Sequence, residues 1–180
     1  QLPVDFVLKG LKFILENSEI NKITHDIKVE DCILKNFSIN ITGVVFDTML
    51  ACYIKDSNAN SAFDIQCMEQ IDHILPSIVS GGKKSTIADQ NITEVKDYAG
   101  DLASSLFKLT DYWNGCLDLK EYKIMRDIEI PLAHVLADME YQGVSVDEEY
   151  LKKLTVLFDK HLWRVSSKIY DLAGEGFNIN

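Results

Sequence analysis

The chain has 180 residues, 47% of them hydrophobic and 26% charged, an ordinary soluble balance that suffices for one good core or one domain plus part of another. No apolar run approaches the ~20 residues that span a bilayer, and no signal-peptide pattern opens the chain. A net charge of −10 argues against tight nucleic-acid binding by this chain alone, because a basic face normally supplies much of that affinity.

Val4, Val7, Leu8, Leu11, Ile14 and Leu15 form a helical stripe that predicts a helix over 4–16. Residues 21–25 read as a short strand, Asp26 as an N-cap, and 27–35 as a helix with Ile27 and Leu34 inward. Ile39-Asn40-Ile41 and Val44-Val45-Phe46 are both strand-like, separated by Thr42-Gly43. Asp47 lies between strand and helix, where capping the helix that carries Met49, Leu50, Tyr53 and Ile54 accounts for it better than metal binding does. Residues 56–61 are polar and loop-like, and 63–74 read as a helix. Pro76 to Asp89 is the expected flexible stretch; its Gly81-Gly82-Lys83-Lys84-Ser85 lacks the spacing of a phosphate-binding loop. Residues 91–113 predict a long helix.

Further on, Ile128, Leu132, Val135, Leu136 and Met139 predict one buried helical face, with Pro131 in the first turn and Gly143 just past the end. Val144-Ser145-Val146 then leads to a capping Asp147 and a second helix, whose apolar stripe runs from Tyr150 to Leu172. A helix this long and apolar packs on the rest of a domain, so some of its stripe is expected to lie exposed here. Helix, short strand and helix alternate in the first half, which implies an α/β core with only two or three strands. Cys32, Cys52, Cys67 and Cys116 are widely spaced without a CxxC pair or clustered histidines. That pattern argues against zinc and a disulfide framework and suits free thiols in a reducing cytoplasm. His25, His73, His134 and His161 are scattered, and none is assigned a catalytic role.

Three phrases carry a family resemblance. Residues 128–147 follow the form IExPLxxVLxxMExxGVxVD, Phe46 to Tyr53 follows FDTMLxxY, and Tyr170 to Asn180 matches a link between helices. Together, and in this order, they resemble the bacterial DNA polymerase I family (family A DNA polymerases). The resemblance implies a truncated ribonuclease H-like domain of the DEDD exonuclease type at 1–121. The N-terminal edge of a polymerase domain, leading into the thumb, would then occupy 122–180. It also implies a parent that copies primer-template DNA from dNTPs with magnesium, its palm and fingers lying beyond Asn180. Gln1 is not an initiator methionine and Asn180 ends in mid-phrase, so an excised piece of that longer bacterial, cytoplasmic protein is expected.

In the exonucleases of this family, four carboxylates hold two divalent metals that activate water and stabilise the leaving oxygen. The first two acids form a DxE phrase on an opening strand; before residue 26 the only acids are Asp5, Glu16 and Glu19. The second motif, an Asn with a metal-binding Asp four residues later, falls here on Asp26 and Glu30. The plainer reading of that pair is a capping Asp26 and a solvated Glu30. The third motif, a Tyr followed four residues later by an Asp, falls on Tyr98 and Leu102, and an aliphatic side chain binds no metal. Asp101 is adjacent but turned about 100° away on a helix. The expectation is a vestigial exonuclease domain without metal or intact catalytic residues, a state with precedent in the family. The rivals are a working nuclease using Glu30 and Asp101, and a non-catalytic interaction module.

Overall fold

The computed structural model describes residues 2–76, 87 and 90–179. In chain order it has α1 (Val4–Leu15), β1 (Lys22–Thr24), α2 (Ile27–Lys35), β2 (Val44–Asp47), α3 (Thr48–Lys55) and α4 (Phe63–Ile71). Then follow α5 (Ile92–Cys116), α6 (Leu119–Ile124), a π-turn at Met125–Glu129, α7 (Ile130–Gln142) and α8 (Glu148–Ala173). The chain divides into two compact units, Gln1–Gln142 and Gly143–Asn180. The residues assigned by resemblance to a polymerase domain, from 122 onward, are thus shared between both units.

In the first unit β1 and β2 pair in parallel, Ile23 opposite Phe46 and Thr24 opposite Asp47, with a bulge between Lys22 and Ile23. Gly43 (φ 71°) feeds β2 into this pairing, and a side chain there would lie 2.7 Å from the Ile20 carbonyl oxygen. Helices cover the sheet, and the core gathers Phe46, Ala51, Cys52, Cys67, Leu109, Trp113, Met125 and Ile130. Trp113 is buried with its polar atom satisfied: Nε1 donates to Gln66 Oε1 at 2.8 Å, and Gln66 Nε2 donates to the Ser61 carbonyl. All four cysteines are free.

Several expectations need correction. Ile39–Ile41 is not a strand; Ile39 and Ile41 are buried anchors of an irregular crossover from α2 to β2. The helix expected to reach residue 74 ends at Ile71, where Asp72 turns left-handed (φ 49°), while α5 continues past Trp113 to Cys116. The expected flexible stretch, 76–89, falls outside the described residues except for 76 and 87.

Pro131 does not open a helix. The helix starts at Asp118, where a capping box with Glu121 satisfies the first amides, and runs unbroken through the π-turn to Gln142. There the Ile130 N–H reaches back five residues to the Met125 carbonyl. Widening the helix just before Pro131 makes room for a ring that would otherwise clash with a carbonyl four residues back.

The buried face of α7 is also not the expected one. Ile128, Leu132, Val135, Leu136 and Met139 are all more than 40% exposed, whereas Ile130, Ala133 and Ala137 are buried. The reason is the partner. Helix α2 lies so close that Cys32 Sγ donates to the Ala137 carbonyl at 3.4 Å, with the small Ala133 and Ala137 buried. Ionic contacts flank the seam: Lys28 with Glu140, Lys35 with Asp138, and the buried Asp31 accepting from Lys35 (3.0 Å) and sharing a hydrogen bond with His134 (2.8 Å).

The second unit is carried by α8. Asp147 accepts from the Tyr150 N–H at 2.9 Å at its start, and Gly174 (φ 74°) ends it. No α8 residue is buried; Tyr170 stacks edge-on against Phe177 and donates its hydroxyl to the Phe177 carbonyl.

Ala137→Leu forces extra methylenes into the α2–α7 seam. It should cost about 1–3 kcal/mol, read as a lower urea midpoint with unchanged slope, whereas the exposed Met139→Ala should shift the midpoint little.

Candidate functional site

The carboxyl ends of β1 and β2 bring the polar residues of the first unit together around Asp47. Asp47 is fully buried, and both of its oxygens are used. Oδ1 accepts from the Met49 and Leu50 N–H groups at 2.9 and 3.0 Å, capping α3. Oδ2 accepts from the Ile27 N–H at 2.6 Å and the Thr24 hydroxyl at 2.9 Å. One carboxylate thus caps α3 and also ties the β1–α2 corner to β2. Capping, read from the sequence, is correct but covers only half of the role. Beside it, His25 Nδ1 meets the Thr48 hydroxyl at 2.8 Å, and the ring packs edge-on against Phe63. Burial lowers the His25 pKa, against the opposing pull of Asp47 and Asp26, so the ring is neutral at pH 7.

Asp26 caps α2 as expected: in a left-handed conformation (φ 65°), it accepts from the Val29 N–H at 3.3 Å. Glu30, in the first turn of α2, is not a solvated carboxylate. It is half-buried, and its pKa is raised to about 7. Burial is the main cause, Asp47 and Asp26 add repulsion, and the His25 backbone N–H partly offsets them.

Tyr98 and Leu102 lie one turn apart on α5, both half-buried. Asp101 is committed elsewhere: both its oxygens contact His73 Nε2, at 3.0 and 2.9 Å, joining the segment after α4 to α5. Next to it the buried Cys67 thiol is pushed up to about 11 by burial and by Asp101, leaving it protonated and inert. Among the described residues, no hydrogen bond or ion pair joins Glu30 to Tyr98 or Asp101, and no three His, Cys, Asp or Glu side chains group closely enough to hold a metal. Leu102 has no donor atom, and Asp101 is held by His73. The His73–Asp101 and Asp31–His134 pairs span 28 and 103 residues, and no sequence spacing announces them.

A short parallel sheet flanked by helices, acids at the carboxyl ends of its strands and one long helix crossing them define a reduced ribonuclease H-like α/β domain. The profile of the family described as "DNA polymerase I, ribonuclease H-like domain" matches residues 4–96, a range that includes Asp26 and Glu30 and ends before Tyr98. The chain belongs to that family. It is similar to DNA polymerase I of Chloroflexus aurantiacus (27% identity, covering 100% of this chain and 20% of that protein). It is also similar to DNA polymerase I of Synechocystis (31%, 100% and 19%) and of Geobacillus stearothermophilus (32%, 88% and 18%). The chain spans about a fifth of the length of these curated relatives. A solved structure, the POL domain of Pol1 from M. smegmatis in complex with DNA primer-template and dNTP, shares the fold at a TM-score of 0.61. Its identity is 21%, covering 94% of this chain and 27% of that one. Among the described residues no helix is long and apolar enough to cross a membrane.

Two outcomes are expected. Asp47→Ala leaves three amides and a hydroxyl unpaired and should destabilise by about 3 kcal/mol or more in chemical unfolding, with Asp47→Asn losing less. For Glu30 the folded pKa lies above the unfolded one, so the folded state holds the extra proton. Its contribution is most favourable below pH 4.5 and is lost as pH rises through about 7. Glu30→Gln should therefore raise stability at pH 8 by about 1–2 kcal/mol after solvent screening, and change it little at pH 4. An equal effect at both pH values would contradict this.

Proposed function

We propose that this chain is the vestigial 3′–5′ exonuclease-like domain, together with the adjoining helical edge of the polymerase domain, of a DNA-templated DNA polymerase working in bacterial replication and repair. It is a scaffold without catalysis of its own. The parent would act in the cytoplasm on primer-template DNA and dNTPs, with magnesium held by acids of its palm. On this reading 1–121 is the exonuclease-like part and 122–180 the polymerase edge. The observation that carries the inactivity is on α5: Leu102 occupies the place of the third-motif acid, and the neighbouring Asp101 is bound on both oxygens by His73. Asp26 serves α2 as its cap, and Tyr98 stands without an acid one turn on.

A working nuclease that uses Glu30 and Asp101 has one observation in its favour, the mutual repulsion of Glu30, Asp47 and Asp26, which a cation would relieve. It would have to break the His73–Asp101 pair first.

The test is a chain extended upstream to include the opening strand, incubated with manganese and 3′-labelled single-stranded DNA. Nucleotide release should not exceed that of a Glu30→Ala control. Release that Glu30→Ala abolishes would overturn the scaffold reading.

A further inference from the structure

The exposed apolar side of α7 borders a cavity of about 170 Å³. Ile27 of α2, Met49 and Leu50 of α3, and Leu132, Ala133 and Leu136 of α7 wall it. Ile27 is buried, whereas Leu132 and Leu136 are 44% and 42% exposed, so the cavity is reached from solvent along α7. None of Glu30, Tyr98, Asp101 or Leu102 lines it, which separates it from the vestigial exonuclease positions. Its charged lining is unbalanced. Asp26, Asp47 and Glu129 stand against one cation, Lys28, and Lys28 is taken by Glu140. Asp26 accepts from the Val29 N–H and Asp47 from amides and a hydroxyl, so neither is neutralised by an ion pair among the described residues. The Glu129 carboxylate has neither a hydrogen bond nor an ion pair among them. Beyond the effect of burial, repulsion from Asp47 and Asp26 raises the Glu30 pKa, an independent sign that negative charge at this end of α2 is uncompensated.

We propose that this cavity binds a small hydrophobic ammonium ion, a ring-sized apolar body carrying one alkylammonium group. The volume selects the body: an aliphatic-walled cavity of about 150 Å³ admits one benzene ring. The carboxylates select the head. An anionic head would be repelled and a neutral one would leave Asp26 and Glu129 unanswered, whereas an ammonium beside them is attracted and keeps part of its hydration. Mostly apolar walls with a few placed charged groups are the usual make-up of a small-molecule site. A second copy of the chain is a poorer occupant, because two chains of net charge −10 repel. Binding there involves the first unit alone, Gln1–Gln142, and stands apart from polymerase or nuclease activity.

The test titrates the 180-residue chain, methyl-labelled at Ile, Leu and Met, with 2-phenylethylammonium, neutral 2-phenylethanol and anionic phenylacetate. The Ile27 and Met49 methyl signals should shift and saturate with the ammonium, half-maximally at about 1 mM. 2-Phenylethanol should bind about fivefold more weakly and phenylacetate about twentyfold. Added salt should weaken the ammonium and leave the alcohol unchanged. Glu129→Gln, at a partly exposed helical position, should lower ammonium affinity about threefold or more and leave the alcohol as it was. Ala133→Leu, which fills the cavity, should remove binding of both; a thermal melt checks that it folds, and Glu129→Gln decides alone if it does not. The proposal is overturned by equal affinity for the three probes, by shifts confined to residues outside the cavity, or by ammonium binding that Glu129→Gln leaves unchanged. Absence of saturation up to about 20 mM, or a concentration-dependent dimer that buries α7, would overturn it equally.

Discussion

The first unit is organised around a single buried carboxylate. Asp47 stands where β2 becomes α3, and each of its oxygens serves a different part of the fold. The α3 amides and the Ile27 amide at the start of α2 would otherwise be buried without partners, so removing the acid uncaps α3 and releases the β1–α2 corner together. A sheet of only two short strands has little cohesion of its own. This four-contact carboxylate, with the Phe46 core beneath it, supplies what a wider sheet would.

The polar groups around Asp47 follow from that arrangement. His25 is held neutral between Thr48 and Phe63, and Glu30 is crowded toward acids it cannot escape. On α5, Leu102 is aliphatic and Asp101 is held by His73. The carboxyl-end corner of this chain is held together by the hydrogen bonds of Asp47, the His25–Thr48 contact and packing. The α2–α7 seam joins α2 to the helix that carries the polymerase-like phrase.

Charge serves the same purpose: Lys28, Lys35 and Lys55 of the first unit are spent on holding elements together.

Local rules written in contiguous residues were legible in the sequence. Asp26, Asp47 and Asp147 each cap the helix their position implies, and Gly143 adopts the positive φ expected after a helix. The phrases around Phe46 and Ile128 identified the family, and Leu102 was visibly no ligand. The choice of buried face on α7 was not legible, because hydrophobicity favours the Leu and Val side while the close approach of α2 requires Ala133 and Ala137. The burial of Glu30, the second function of Asp47 and the capture of Asp101 by His73 were equally hidden. Periodicity and capping act within a turn or two of chain, so the sequence alone determined most helix starts, but not the ends of α4 and α5, the irregular 39–41 crossover or the start of the helix that carries Pro131. Which faces meet and which carboxylate finds which donor depend on groups up to a hundred residues apart, and only the tertiary structure decided them.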